Sequence, residues 1–170
     1  MISQAILRAT MSYAIRPAVP GDERAVFALI EALARYARLA HELSGSAEAL
    51  REHLFGPRPA AEALLAEDDA GGVKQAVGFA LFFTNYSTFR TQPGIYLEDL
   101  FVVESHRRRG VGGALLAEVI RTAQARGAGR VEWTVLQWNE SAIAFYRRLG
   151  ADVLPDYRVC RISFGGPRHA

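Results

Sequence analysis

Cys160 is the only cysteine in the 170 residues, which excludes an intramolecular disulfide and any paired-cysteine metal site. Its expected role is that of a small buried apolar side chain in a reducing compartment. Charge of one sign is also scarce: 20 Lys and Arg stand against 18 Asp and Glu, a net of +2, far from the balance of a chain that lives on nucleic acid. No apolar run approaches the ~20 residues of a membrane-crossing helix, and the opening MISQAILRAT lacks the positive start and long apolar stretch of a secretory leader. A cytoplasmic protein with no membrane and no nucleic-acid partner is therefore expected, with Met11 as an alternative start because the recognisable pattern begins at Tyr13. His41, His53, His106 and His169 show no metal-ligand spacing, and no serine sits in a nucleophile-elbow context, so neither a metal site nor a Ser-His-Asp assignment is expected.

What is present suits one domain with a full core, since half of the residues are hydrophobic and 22% are charged. Its expected span is 13–164, between an N-terminal extension, 1–12, and a C-terminal tail, 165–170. Residues 13–16 read as a strand, and Asp22 is placed to cap a helix carrying Val26, Phe27, Ile30, Leu33 and Ala37 at helical spacing. A second helix follows Ser46 and stops at Gly56-Pro57. Residues 63–67 and 75–83 read as antiparallel strands about a turn over 68–72, and a polar loop over 85–94 leads to a largely apolar strand over 95–103. Residues 110–126 form a long helix ended by Gly127-Ala128-Gly129, 131–136 a strand, and 139–149 a helix capped by Asn139 or Ser141 and closed by Gly150. Residues 157–164 alternate as a late strand. The expected class is α+β, or mixed α/β, with one central mixed sheet and helices on both faces.

The stretch Arg107-Arg108-Arg109-Gly110-Val111-Gly112-Gly113 lies directly between an apolar strand and the long helix. Backbone N–H groups at a helix N-terminus lack partners and the helix dipole is positive there, so glycines that admit a ligand make an anion cradle for phosphate. The P-loop pattern fails because no Lys-Ser or Lys-Thr follows, and the dinucleotide fingerprint fails because Leu115 takes its last glycine position.

Arg107-x-x-Gly110-x-Gly112 resembles the acyl-CoA pyrophosphate loop of the GNAT superfamily of N-acetyltransferases, which reads R/Q-x-x-G-x-G/A at this same junction. The segment Ile95-Tyr96-Leu97-Glu98-Asp99-Leu100-Phe101-Val102 before it, and Trp138-Asn139-Glu140 with Ala144-Phe145-Tyr146 after it, are similar to the spermidine/spermine (diamine) and thialysine acetyltransferase branch. The resemblance spans residues 15–162 and implies the acyl-CoA N-acyltransferase fold. It further implies acetyl-CoA as co-substrate, its pantetheine arm pairing with the backbone of Leu100, Phe101 and Val102 as an added strand. By the same resemblance Arg108, Arg109, Gly110, Val111, Gly112 and Gly113 hold the pyrophosphate, Asn139 contacts the cofactor beyond it, and the protein is a homodimer.

Acyl transfer to an amine needs a deprotonated nucleophile, a polarised thioester carbonyl and a proton for the departing thiolate. A tyrosine phenol can donate to a thiolate, and the resemblance implies that Tyr146, which also borders the cofactor, is that acid; without it, a Tyr after Phe145 on a helix reads as a core aromatic. Glu98 interrupts an apolar strand, where a carboxylate needs either a partner or a function. By analogy Glu98 takes the amine proton through water and Asp99 attracts or positions a cationic substrate, with Tyr36 on the acceptor side; the structural alternative is a partner for an arginine. Trp133 and Trp138 read as packing residues.

Polyamine-acetylating relatives carry acidic residues after the tyrosine of the first helix and again before the final strand. Here Tyr36 is followed by Ala37 and Arg38, the later segment is Leu154-Pro155-Asp156-Tyr157, and Ala142 stands where relatives often carry a hydroxyl. A long polycation loses two negative contacts, so a smaller amine is expected: a diamine or a lysine-like amino acid such as thialysine, whose α-carboxylate could use Arg38. The alternatives are an acetyltransferase for a protein N-terminus, a lysine side chain or an antibiotic amine, and a non-catalytic CoA-binding module.

Overall fold

The computed structural model describes residues 13–70 and 72–164; the extension 1–12 with Met11, the tail 165–170 with His169, and Gly71 of the turn lie outside the described residues. Contacts divide the chain into two compact units, one ending at Glu132 and one beginning at Trp133.

In the first unit β1 (Tyr13–Pro17), β2 (Glu62–Ala70), β3 (Val73–Ser87), β4 (Gln92–Val102) and β5 (Val131–Glu132) form one sheet in that spatial order. The first four strands are antiparallel neighbours, while β5 runs parallel to β4. A parallel neighbour requires a crossover, and α3 (Val111–Ala125) supplies it. The other helices of this unit are α1 (Glu23–Tyr36) and α2 (Ala47–Phe55).

Both sheet faces are covered. Val26 and Leu29 of α1 and Leu54 of α2 pack with Ala63, Leu65, Phe79 and Phe101. Leu64, Ala80 and Phe82, which alternate with these, are buried on the opposite face toward α3, whose Val111, Leu115, Leu116 and Val119 are also buried. Gly78 brings that helix close: a Cβ there would lie 3.3 Å from Leu115 Cδ1 and 2.8 Å from the Phe101 carbonyl oxygen.

The helix ends follow local chemistry. Ser46 Oγ accepts the Ala49 N–H at 3.2 Å, a side-chain N-cap for α2. Asp22 occupies the N-cap position of α1 but does not cap it, contrary to expectation: its carboxylate accepts from Arg16 and from the Val19 N–H instead. A charged guanidinium within reach outcompetes the neutral amides of the first turn. At the other end of α1, Leu39 N–H bonds Ala34 O and Arg38 N–H bonds Arg35 O, a Schellman closure with Arg38 at φ 62° where glycine is usual.

In the second unit α4 (Glu140–Arg148) is capped by Asn139, whose side chain accepts the Ala142 N–H, and is closed through Gly150 at φ 87°. Several expectations are corrected. The β3–β4 connection is a turn over 88–91 rather than a loop over 85–94, because Asn85, Tyr86 and Ser87 pair with Gly94, Pro93 and Gln92. Strand character after Val131 ends at Glu132, and 157–164 is not a strand although its side chains alternate. Alternation specifies which side chains share a face but not an edge to pair with. Cys160 and Trp138 are exposed rather than packed. Among the described residues no helix is long and apolar enough to cross a membrane.

Candidate active site

After β4 the chain makes one 3-10 turn over Glu104–His106, then enters α3 through two left-handed residues, Arg108 at φ 60° and Gly110 at φ 86°. The first helical bond is Ala114 N–H to Gly110 O at 3.0 Å. The N–H groups of Val111, Gly112 and Gly113 therefore precede the hydrogen-bonded ladder and stand at the positive end of the helix. A Cβ on Gly113 would meet nothing within 4 Å, so the approach to this turn is open. Tyr13 Oη lies beside it, 3.2 Å from where a Cβ on Gly110 would sit, and is buried with no hydrogen-bond partner among the described residues.

Two ties, neither of them legible from sequence spacing, hold this loop. Arg107, the first residue of the motif, turns inward: its Nε donates to Val102 O at 3.0 Å, and its guanidinium lies 4.4 Å from the Tyr36 ring centroid and 5.6 Å from that of Phe101. It joins the loop to the end of β4 and to α1 by a charge-assisted hydrogen bond and a cation–π contact. His106 Nε2 is hydrogen-bonded to Asp68 Oδ2 of β2 at 2.9 Å, and Ser105 Oγ to His106 Nδ1 at 2.9 Å. This Ser105–His106–Asp68 chain anchors the other side of the turn. Arg108 and Arg109 are exposed.

The acidic pair that looked out of place in an apolar strand sits at a break in register. Leu81 lies opposite Asp99 and Phe82 opposite Leu97, so Glu98 has no partner on β3 and forms a β-bulge. The bulge keeps Leu97 and Leu100, three residues apart, opposite Phe82 and Ala80, which share the α3 face, while Asp99 and Phe101 share the α1–α2 face. Glu98 is exposed and Asp99 is half-buried. Burial, with a smaller push from the neighbouring Glu98 charge, raises the Asp99 carboxyl to about 6. Below the bulge β4 pairs with β5 only at Ile95 and Tyr96. From residue 97 onward, through Leu100, Phe101 and Val102, the far edge of β4 has no strand paired to it among the described residues of this unit.

The first unit thus gathers Tyr36, Phe101 and Arg107 in ring and cation–π contact, with Asp99 on the same sheet face and the loop 108–113 beginning α3. In the second unit the Tyr146 ring is buried with its centroid 5.0 Å from that of Trp133 and 5.2 Å from that of Phe145, so Trp133 does serve packing there. The Asn139 side chain is engaged in capping α4.

The sequence model described as the acetyltransferase (GNAT) family matches residues 28–151. A thialysine N-epsilon-acetyltransferase of Bos taurus is 36% identical over 146 residues, covering 84% of this chain and 85% of that protein. An L-ornithine N5-acetyltransferase of Arabidopsis thaliana is 48% identical over 86 residues, a match that spans 51% of this chain and only 38% of that protein. Among solved structures, a ribosomal-protein-alanine N-acetyltransferase from Brucella melitensis shares the fold with a TM-score of 0.67 at 23% identity, over 90% of this chain and 99% of its own. With a family match over most of its length, a relative aligned nearly end to end, and a glycine-rich turn opening α3, the chain belongs to the GNAT family of acetyltransferases.

Proposed function

We propose that this protein transfers the acetyl group of acetyl-CoA to the side-chain amine of a small basic amino acid of the lysine or ornithine type. The observation that carries this reading is the near end-to-end similarity to a thialysine acetyltransferase, joined to an acceptor side where Arg38, rather than an acidic residue, follows Tyr36-Ala37. A carboxylate-bearing acceptor complements that arginine, whereas a polycation does not.

The residues present fit an acyl-CoA. The N–H groups of Val111, Gly112 and Gly113, open to approach, suit a diphosphate, with the exposed Arg108 and Arg109 adding positive charge. Among the described residues of the first unit no strand pairs with the far edge of β4 from Leu100 to Val102, and although the Val102 carbonyl accepts from Arg107, this edge suits an extended amide-bearing arm, which would hydrogen-bond to it as a further strand. Bound there, acetyl-CoA supplies an activated acyl thioester. The carboxylates at the β4 bulge, Glu98 and Asp99, draw the cationic acceptor, which loses a proton before its neutral amine attacks, and provide the base for the proton that nitrogen sheds on acylation. Tyr36 lines the acceptor side. On the family resemblance, Tyr146 donates a proton to the departing sulfur, Asn139 contacts the cofactor, and the protein is a homodimer. Arg107 and the Ser105–His106–Asp68 chain position the loop without touching substrate.

The test is acetyl-CoA-dependent CoA release by the purified protein with L-ornithine, L-lysine, thialysine, putrescine, spermidine and a lysine peptide as acceptors. The amino acids are expected to exceed the diamine and the polyamine in kcat/KM. A peptide that outperforms every small amine overturns the substrate class, and CoA binding with no turnover on any acceptor overturns the activity.

A further inference from the structure

The two carboxylates of the bulge are adjacent in sequence but not equivalent in space. Glu98 is the bulged residue, exposed, with no opposite residue on β3. Asp99 returns to the ladder opposite Leu81, on the face that carries Phe101 and, through it, Tyr36 and Arg107. Among the described residues no hydrogen bond or ion pair holds its carboxylate. A structural carboxylate in an apolar setting is normally paired; this one is half-buried and left unpaired at the acceptor side of the sheet. Among the described residues the polar and titratable groups about that face include Tyr36 from α1, Arg107 from the loop, Tyr96 and Glu98 on β4 itself, and Asn85 and Glu132 beyond Tyr96, and Glu98 is the one whose charge bears on Asp99.

We propose that Asp99, and not its neighbour Glu98, is the carboxylate that takes the proton from the attacking amine. The proposal rests on the acetyl-transfer reading above. In the step it describes, the amine nitrogen of the neutral acceptor bonds to the acetyl carbon while the carbon–sulfur bond breaks and sulfur leaves with the electron pair. The nitrogen's surplus proton passes to Asp99, the departing thiolate is protonated from solvent, and Asp99 returns its proton to solvent, so that the products are the amide and the free thiol. Burial, which lifts the Asp99 carboxyl to about 6, makes it a stronger base than an ordinary carboxylate while leaving it ionised near neutrality. The exposed Glu98 contributes its charge, which holds Asp99 up and draws the cationic acceptor.

The experiment measures kcat/KM against pH with L-ornithine for the wild type, Asp99→Asn, Asp99→Glu and Glu98→Gln, together with thermal unfolding against pH in the absence of acetyl-CoA. Asp99→Asn is expected to lower kcat about a hundredfold and to abolish the acidic limb near pH 6, with part of the rate and a limb restored in Asp99→Glu. Glu98→Gln should keep the limb but move it to lower pH, since the like charge that raises Asp99 is gone. Without co-substrate, a native carboxyl raised above its unfolded value binds protons more tightly when folded, so wild-type stability falls relative to Asp99→Asn as pH rises from about 4 to about 6. Loss of the limb in Glu98→Gln with its retention in Asp99→Asn, or parallel stability profiles for the wild type and Asp99→Asn, overturns the assignment. A wild type that turns over no amine defeats the acetyl-transfer reading itself, whereas a wild type that works alongside an equally active Asp99→Asn defeats only the assignment.

Discussion

Two glycines of the α3 entry, Gly110 and Gly113, should respond in opposite directions to the same added methyl. Gly110 sits at φ 86°, and its new Cβ would stand 3.2 Å from Tyr13 Oη. An L-residue in the left-handed region costs about 1–2 kcal/mol, which for a chain of this size lowers Tm by roughly 2–8 °C. If the backbone relaxes instead, the N–H groups that follow lose their common aim. The loss of one charge-assisted hydrogen bond to a phosphate, about 1.5–3 kcal/mol, weakens CoA binding roughly tenfold to a hundredfold. Gly113 lies inside α3 with open space where its Cβ would go. Alanine there gains helix propensity, up to about 1 kcal/mol, so Tm should rise by a few degrees and CoA affinity should hold. Thermal unfolding and calorimetric titration with CoA on both variants supply all four values. Equal Tm values, or Gly110→Ala binding CoA as tightly as the wild type, would refute the account of this turn.

The remaining predictions concern single side chains. Tyr146→Phe should lower kcat strongly in steady-state turnover while CoA binding by calorimetry stays nearly unchanged; full turnover removes the phenol from the mechanism. Arg38→Gly relieves a left-handed arginine in a Schellman closure, so Tm should rise by an amount corresponding to about 1 kcal/mol while KM for L-ornithine increases and KM for putrescine does not. Arg16 bonds Asp22 and Glu67 together and holds both carboxyls below their usual range. Because their folded pKa values are depressed, that stability is present above the ordinary carboxylate range near 4 and is lost as pH falls through the lower folded values. Arg16→Gln should therefore lower stability at pH 7 by about 1–3 kcal/mol and flatten the acid side of the urea-denaturation profile.

The features legible in the sequence were those governed by a few adjacent residues. Ser46 capping α2, Gly56-Pro57 ending it, the left-handed Gly127 and Gly150 after α3 and α4, and the glycine-rich entry to α3 all depend on backbone chemistry within one or two turns. The family motif is local in the same sense, so sequence by itself determined the fold class and the glycine-rich turn that opens α3. Features that depend on a distant partner were not legible. Asp22 sits at a helix start but serves Arg16, and Arg107, the first residue of the glycine-rich motif, stacks on Tyr36 and bonds Val102. Strand character over 133–136 and 157–164 needs a paired edge that alternation cannot supply. The oddity of Glu98-Asp99 was visible, but only pairing with β3 decided that one carboxylate is the exposed bulge and the other lies half-buried on the face that carries Phe101. A register shift is a property of two strands at once, and no single segment contains it.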